Sequence, residues 1–312
     1  MLVAAGWSDA KHTPLAGDAS ARSYQRLSGT KGQAVLMDAP PRSGDDPADF
    51  VAIGQHLTGL GLSAPRVLAQ NLPQGFLLLE DLGDDLYARI LTRAPEREAE
   101  LYSAATDVLI RLQDAPAPQG LLNLPAGEWA DAVQPAFDWY GQCAGATGNA
   151  TATIRALTEA LTAHADGPRV LILRDYHAEN LLWLPERDGV ARVGLLDFQL
   201  GQMGQPGYDL VSLLQDARRD VSLATEEAMI RRFDPSEAFR AQYAVLGAQR
   251  NLRILGIFAR LAVMGKPAYL PLIPRVWAHL RRNMAHPALA GFPLDLPAPT
   301  PDILDRIARC RP

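Results

Sequence analysis

The hydrophobic pattern of this chain changes period part-way along, and that change most constrains its fold. In the first part, the short apolar runs Gln33–Asp38 and Phe76–Glu80 are bounded by Gly and Pro, which is typical of strands. Between them, the segment from Pro47 to about Gly59 has the start and stop signals of a helix. Further on, Ala94–Gln113 and Ser236–Met264 carry apolar residues at intervals near three and four, which predicts helices. We therefore expect an α+β chain, strand-rich first and helical afterwards.

Charge and cysteine content bear on the cellular compartment of the protein and on whether it binds nucleic acid or membranes. The net charge is −5, so the chain has no global basic field to gather nucleic acid or an anionic membrane. No apolar run approaches the roughly 20 residues that span a bilayer, and the first ten residues do not resemble a secretory signal. Cys143 and Cys310 match neither a disulfide framework nor a metal-site spacing, so we expect two inert thiols in a reducing compartment. These features predict a cytoplasmic protein.

The segment that carries chemistry contains Asp175 and Asn180, five positions apart. A predicted hairpin follows, because two apolar runs, Leu181–Leu184 and Val193–Leu196, flank the turn dipeptide Asp188-Gly189. This hairpin would bring Asp197 back to face Asn180. An Asp and an Asn at this spacing are common in turns, but the hairpin and the second Asp together are typical of kinase catalytic loops.

Phosphoryl transfer explains why these three residue types occur together. The reaction needs a carboxylate that orients the attacking hydroxyl and accepts its proton, and it needs hard oxygen ligands that hold Mg²⁺ against the triphosphate. We predict that Asp175 is the catalytic carboxylate and that Asn180 and Asp197 are the magnesium ligands.

Several segments resemble the aminoglycoside phosphotransferase and choline kinase superfamily, and within it the bacterial N-acetylmuramate/N-acetylglucosamine anomeric kinases. The similar segments follow the family order along nearly the whole chain: Gly17–Tyr24, Val35–Pro41, Leu77–Gly83, Leu173–Asn180, Tyr208–Arg218 and Gln249–Arg260. The resemblance implies a bilobal protein-kinase-like fold with a nucleotide-binding lobe at 1–80, a hinge at 81–84 and a helical lobe at 85–312.

The resemblance also implies ATP and Mg²⁺ as cofactors. Adenine would lie against the hinge backbone around Glu80, Asp81 and Leu82. The loop Asp18–Tyr24 would cover the phosphates, with its backbone N–H groups, Ser20 and Arg22 as donors.

Two family features are absent. The strand lysine that usually pairs with the phosphates should fall near Met37, and the nearest lysine, Lys31, lies in a predicted turn. Leu173 stands where a histidine often opens the catalytic loop. The anomeric kinases are similar to this chain in both respects, and Arg22 is a candidate replacement for the lysine.

Charge placement suggests the class of acceptor. Between Ala238 and Leu294 there is no Asp or Glu, whereas arginines recur. This bias favours a neutral or anionic acceptor over a polycationic one, and an Arg fork would suit the carboxylate of N-acetylmuramate. The residues expected near the acceptor are Arg174, Tyr176, His177, Tyr208, Asp209, Arg253 and Arg260, although Asp209 also suits a bracing role behind the catalytic loop.

Other functions stay open from the sequence. The acceptor could be choline, ethanolamine, homoserine or an aminoglycoside, but a quaternary ammonium calls for an aromatic cage rather than arginines. A nucleotide-binding regulator without catalysis is a further alternative, because the strand lysine is missing. Small amino sugars and ATP are the expected partners. The sequence does not indicate which oligomeric state the protein adopts.

Overall fold

The structure is a computed structural model that describes residues 1–15, 22–40, 46–146 and 148–311. Its strands are β1 (Lys11–Pro14), β2 (Ser23–Gly29), β3 (Gly32–Asp38), β4 (Val67–Asn71), β5 (Phe76–Glu80), β6 (Val170–Ile172), β7 (Leu181–Trp183), β8 (Val193–Leu195) and β9 (Gln202–Gly204). The strands predicted around Gln33–Asp38 and Phe76–Glu80 are thereby confirmed.

The helices outnumber the strands after residue 85. They are α1 (Leu2–Ala5), α2 (Pro47–Gly59), α3 (Tyr87–Arg93), α4 (Glu98–Gln113), α5 (Ala126–Asp131), α6 (Gln142–Ala144), α7 (Thr151–His164), α8 (Tyr208–Leu214), α9 (Leu223–Phe233), α10 (Glu237–Val263), α11 (Ile273–Met284) and α12 (Pro301–Arg309). A π-helical turn spans Ala136–Gly141, and 3₁₀ turns span Leu72–Gln74, Pro95–Arg97, Gly189–Arg192, Pro267–Leu272 and Pro287–Leu289. Within the described ranges, none of these helices combines the length and the apolar character that crossing a membrane requires.

The chain divides into two compact units, each built from two stretches. The first unit comprises Met1–Gly120 and Leu173–Gly201, and the second comprises Leu121–Ile172 and Gln202–Pro312. The strand-rich sheet lies in the first unit, and the later part of the chain is mainly helical. The predicted α+β, kinase-like fold class is confirmed.

The sheet of the first unit is antiparallel, with strand order β1-β2-β3-β5-β4. Alternation along its strands buries Leu27, Ala34 and Leu78 in a core cluster with Trp7. Met37, the position at which the family lysine was sought, lies opposite Tyr24 and Leu77 and is only 1% exposed. A buried methionine therefore occupies this position in the sheet.

The predicted hairpin is confirmed as the antiparallel pair β7 and β8. Leu181 lies opposite Leu195, and the N–H of Leu196 donates to the carbonyl of Asn180 at 3.0 Å. That bond extends the pairing by one step beyond the strands. Asn180 and Asp197 are therefore held at the same end of one rigid hairpin.

Helix α10 organises the second unit. Ser236 caps it, because its Oγ accepts the N–H of Phe239 at 3.1 Å, and Met264 ends it, as the sequence predicted. The helix packs against α7, α8 and α11. At Gly256 the backbone of Pro135 comes so close that a Cβ atom would lie 2.3 Å from it, so only glycine allows this packing.

The cysteine prediction was wrong, because Cys143 and Cys310 form a disulfide. Their Cα atoms lie 5.9 Å apart although 167 positions separate them in sequence. Packing of α12 against α6 brings the two together. Spacing along the chain could not reveal this pairing, since it depends on tertiary packing.

Candidate active site

A cavity of about 330 Å³ lies within the first unit, a size that suits a small-molecule ligand. Strands β2, β3 and β5, the hinge and the ends of the β7–β8 hairpin contribute to its wall. Apolar side chains make up half of the lining residues: Leu15, Val35, Phe50, Pro65, Leu79, Leu82, Leu86, Leu182 and Leu196. Asn180 and Asp197 also line it. The cavity thus combines an apolar wall with the polar pair at the end of the hairpin.

Local hydrogen bonds fold the loop before the hairpin into a compact turn. The N–H of Asp175 donates to the carbonyl of Leu173 at 2.9 Å, and that of Asn180 donates to the carbonyl of His177 at 2.8 Å. Asn180 Nδ2 donates to the backbone carbonyl of Asp175 at 2.9 Å. Because this bond engages the amide nitrogen, Oδ1 is the Asn180 atom that can be offered to a cation.

Two residues of this region have left-handed backbone conformations. Among the described residues, Arg174 (φ 71°) and Asp197 (φ 54°) are the non-glycine residues with positive φ. Such conformations cost on the order of 1–3 kcal/mol each and occur preferentially at functional sites. One directly precedes Asp175 and the other follows β8. The strain therefore coincides with the predicted catalytic residues.

A buried arginine lies beside Asp197. Arg22 Nη1 is 3.7 Å from Asp197 Oδ1, and its side chain is only 4% exposed. Gln199 Nε2 donates to the same carboxylate oxygen at 2.6 Å. A cation is thus placed at the predicted metal-binding carboxylate although no lysine occupies the strand. Ser20, the other predicted donor of this loop, lies outside the described residues.

Glu80, at the start of the hinge, is held by two arginines. Arg66 Nε donates to its carboxylate at 3.0 Å, and Arg187 Nη2 donates at 2.8 Å. Burial by itself would raise the pKa of Glu80, but the hydrogen bonds and the charges of these arginines outweigh it and hold the pKa below its usual value. The Glu80 side chain is therefore engaged by ion pairs within the protein.

Arg26 ties the hinge to β2. Its Nε donates to Asp81 Oδ2 at 2.6 Å, and its Nη1 donates to Asp84 Oδ2 at 2.7 Å. The hydrogen bond from Arg26 is the main cause that lowers the pKa of Asp84. Sequence reasoning missed Arg26, because it lies 55 positions from Asp81 and no local pattern links them. Leu82, between the two carboxylates, lines the cavity directly.

The predicted acceptor residues of the catalytic loop have different surroundings. Tyr176 is 2% exposed, and its hydroxyl donates to the carbonyl of Ala105 in α4 at 2.8 Å. The Tyr176 hydroxyl thus anchors the loop to α4, and the acceptor contact expected of this residue stays a prediction. His177 is also buried, with Nε2 at 3.5 Å from Asn180 Nδ2. Arg174 is half-buried.

The other four predicted acceptor residues belong to the second unit. Tyr208 and Asp209 open α8 and are buried, and the Tyr208 ring lies 5.0 Å from that of Trp129. On α10, Arg253 is half-buried and Arg260 is exposed. The structure therefore groups Arg22, Asn180 and Asp197 in the first unit, and these four in the second.

The charge argument for the acceptor is weakened by the ion pairs of this region. Three of its arginines pair with carboxylates that precede Ala238 in sequence: Arg240 with Glu227, Arg275 with Asp220 and Arg282 with Glu226. These arginines therefore belong to the packing of the helical unit. The sequence pattern overstated the positive charge left for a ligand.

The donor set fits a magnesium ion. Among the described residues, no group of three or more His, Cys, Asp or Glu side chains forms a candidate metal site. Mg²⁺ at kinase sites needs fewer protein ligands, because one or two carboxylates act together with the phosphates of the nucleotide. The carboxylate of Asp197 and the amide oxygen of Asn180, both at the cavity, match that requirement.

Comparison with known proteins agrees with this geometry. The model of the phosphotransferase enzyme family matches residues 11–246, which include the hinge, the catalytic loop and the hairpin. The chain belongs to this family. Among the relatives in the family, a protein of Caulobacter vibrioides named N-acetylmuramate/N-acetylglucosamine kinase is 39% identical, over 93% of this chain and 92% of the relative. A Pseudomonas aeruginosa protein of the same name is 34% identical, over 93% and 90% of the two chains.

Solved structures of the family share the fold at low sequence identity. The choline kinase LicA from Streptococcus pneumoniae has a TM-score of 0.59 at 15% identity, and the match covers 92% of this chain and 95% of LicA. The ADP-bound aminoglycoside phosphotransferase APH(2'')-Ib has a TM-score of 0.58 at 13% identity, covering 87% and 92%. At these identities the likeness establishes the fold alone.

Proposed function

We propose that this chain is an ATP-dependent kinase that phosphorylates the anomeric hydroxyl of N-acetylmuramate or N-acetylglucosamine. The observation that carries the proposal is the 39% identity to a kinase named for these two sugars, over nearly the full length of both chains. The Asp175–Asn180 loop and the adjoining cavity supply chemistry that suits such a reaction. The sugar 1-phosphate would enter salvage of cell-wall sugars.

Asp175 is the proposed catalytic carboxylate. It orients the anomeric hydroxyl and accepts its proton as the new O–P bond forms and the bond between the γ-phosphorus and the bridging oxygen of ADP breaks. Tyr176 supports this role by anchoring the loop to α4 through its hydroxyl. In this proposal, His177 and Arg174 contact the acceptor from the same loop.

Asn180 and Asp197 are the proposed ligands of Mg²⁺, which neutralises the developing charge on the phosphates when it is bound. Arg22 adds a buried positive charge next to Asp197, and in this proposal it replaces the missing strand lysine. Glu80, Asp81 and Leu82 would hold adenine through their backbone. In functional terms the chain then has a nucleotide-binding lobe at 1–80, a hinge at 81–84 and an acceptor lobe at 85–312.

We assign the acceptor contacts of the second unit to Tyr208, Arg253 and Arg260, and a bracing role to Asp209, which is only 2% exposed. We place the reaction in the cytoplasm, because ATP is the phosphoryl donor. Reductant in that compartment would act on the Cys143–Cys310 bond.

Turnover with a panel of acceptors tests the function. We would measure Mg-ATP consumption with N-acetylmuramate, N-acetylglucosamine, choline and kanamycin side by side, and locate the transferred phosphate by NMR. Phosphate on the anomeric oxygen of either sugar supports the proposal, and an Asp175→Asn variant serves as the matched inactive control. Phosphorylation of choline or kanamycin alone would overturn the substrate class. ATP binding without turnover on any acceptor would favour a regulator.

A further inference from the structure

The helical interior of the second unit contains a set of polar side chains where apolar packing is usual. Ser212, Gln249, Asp216 and Arg250 are between 0% and 6% exposed. Ser212 lies on α8, Asp216 follows the end of that helix, and the other two lie on α10. The proposed function uses none of these four residues.

A network of amides fixes the chain next to Asp216. Gln215 Nε2 donates to Asn283 Oδ1 at 3.0 Å, and Asn283 Nδ2 donates back to Gln215 Oε1 at 2.8 Å. Asn251 Nδ2 donates to the same Gln215 oxygen at 2.8 Å. Because two helices, α10 and α11, hold Gln215 in this way, the neighbouring Asp216 has little freedom to move towards another partner.

The carboxylate of Asp216 is only half satisfied. Its Oδ1 accepts the N–H of Arg218 at 2.9 Å, whereas Oδ2 is buried and has no hydrogen-bond partner among the described residues. Burial raises the pKa of Asp216, and the N–H of Arg218 and the charges of Arg218, Arg250 and Arg219 oppose this shift without cancelling it. A further donor to Oδ2 would stabilise the carboxylate.

The arginines whose charges act on Asp216 differ in their own hydrogen bonding. Arg250 Nη2 donates to Ser212 Oγ at 2.7 Å. Arg219, whose charge acts on the same carboxylate, has a buried Nε without a partner in the described part of the chain. Gln249 donates to the carbonyl of Trp129 at 2.8 Å, but within the described residues its Oε1 accepts nothing. Both donors and acceptors are therefore available.

Folded proteins leave few buried polar atoms unpartnered, and such atoms usually indicate a bound water, ion or ligand. A ligand for Asp216 and Arg219 must donate to the carboxylate and accept from the guanidinium. Hydroxyl and acetamido groups do both. A quaternary ammonium does neither, and a polycation would be repelled by Arg219 and Arg250.

We propose that Asp216, Arg219 and the Ser212–Arg250 pair form a binding subsite for the hydroxyl and acetamido groups of an amino-sugar acceptor, with Asp216 Oδ2 accepting from the sugar. This inference rests on the proposed function. It adds an acceptor subsite whose residues differ from those expected from the sequence. In this subsite Asp216 contributes to sugar binding and takes no part in proton transfer.

The test is the near-isosteric substitution Asp216→Asn, assayed by steady-state kinetics and by calorimetric binding of the sugar and of a non-hydrolysable ATP analogue. We expect the KM and the Kd for the sugar to rise at least about tenfold, because a hydrogen bond to a charged group is lost. The kcat and the affinity for the ATP analogue should stay within about twofold, as expected for uniform binding. Asp220→Asn is the matched control, because Asp220 is exposed, lies four positions on and pairs with Arg275.

A second variant keeps the test valid if the Asp216→Asn protein fails to fold. Arg219→Gln alters a half-buried side chain, and we expect it to raise the sugar KM several-fold while the melting temperature stays near that of the wild type. If wild type binds and phosphorylates the sugar and both variants keep its KM, the unpaired atoms hold only water and the subsite is refuted. If wild type neither binds nor phosphorylates an amino sugar, the proposed function and the subsite both fail.

Discussion

Polar side chains near the cavity of the first unit are held in ion pairs, whereas those inside the second unit are partly unpaired. Arg26 and Glu80 each have two charged partners. Asp216 and Gln249 each retain a buried oxygen without a partner among the described residues. In the first unit these side chains are paired before any ligand binds. In the second unit a ligand could supply the hydrogen bonds that the buried oxygens lack. The difference suggests that the nucleotide region is preorganised and that acceptor binding completes the helical region.

The strongest way to test the preorganised side of this comparison is to remove its proposed metal-binding carboxylate. We expect Asp197→Asn to lower kcat by about 10³-fold, because several kcal/mol of charge stabilisation would depend on the ion that we propose Asp197 holds. Circular dichroism should be unchanged. Asp188→Asn, in the exposed turn of the same hairpin, should retain full activity. Wild-type activity in the Asp197 variant would refute the site assignment.

Removing the disulfide tests whether the stability of the helical unit depends on a covalent link. Among the described residues, the first unit has no disulfide. We expect Cys143→Ser to lower the free energy of unfolding of the oxidised protein by about 2–4 kcal/mol, since the bond closes a long loop. Urea unfolding with and without reductant measures this. Reduced wild type should match the variant. An unfolding curve that is insensitive to reductant, with two free thiols by mass spectrometry, would contradict the pairing.

Arg22 tests whether the cation beside Asp197 belongs to the nucleotide site. We expect Arg22→Gln to weaken binding of an ATP analogue by about 10–100-fold, since a buried charged donor to phosphate is lost. Calorimetry in the presence and absence of Mg²⁺ separates this loss from a loss of metal. Arg97→Gln is the control, because Arg97 makes an ordinary ion pair with Glu100 in the same unit. Equal affinity in the two variants would remove Arg22 from the site.

The last test concerns His279, a buried titratable group of the helical unit, whose effect on stability appears only as the pH falls. Burial, with help from Arg282 and Arg275, lowers the pKa of its imidazole to about 4 from an ordinary 6.5. Between these two values the unfolded chain binds the proton and the folded chain does not. Stability attributable to His279 is therefore present above about pH 6.5 and is lost as the pH falls towards 4.

From pH 7 to pH 5 this loss should amount to about 2 kcal/mol. Urea unfolding at both pH values checks it, with His279→Gln as the comparison, because that variant should lose about 2 kcal/mol less than wild type over the same interval. Identical pH dependence in the two proteins would show that His279 is not the titrating group.

The sequence by itself determined the elements and the chemical centre of this protein. Hydrophobic period placed α10 and the β7–β8 hairpin, and the start and stop signals from Pro47 onwards placed α2. The Asp-x₄-Asn motif and the turn at Asp188-Gly189 located the candidate catalytic loop. These features are local, because backbone periodicity and turn chemistry act over a few residues.

Only the tertiary structure decided which distant side chains meet. It paired Arg26 with Asp81, joined Cys143 to Cys310 and turned Tyr176 into an anchor for its own loop. It also buried Asp216 with a carboxylate oxygen unpaired among the described residues. Each of these outcomes depends on how helices and strands pack across tens to hundreds of positions. Local propensity carries no information about such contacts, because their energies arise only once the elements have assembled.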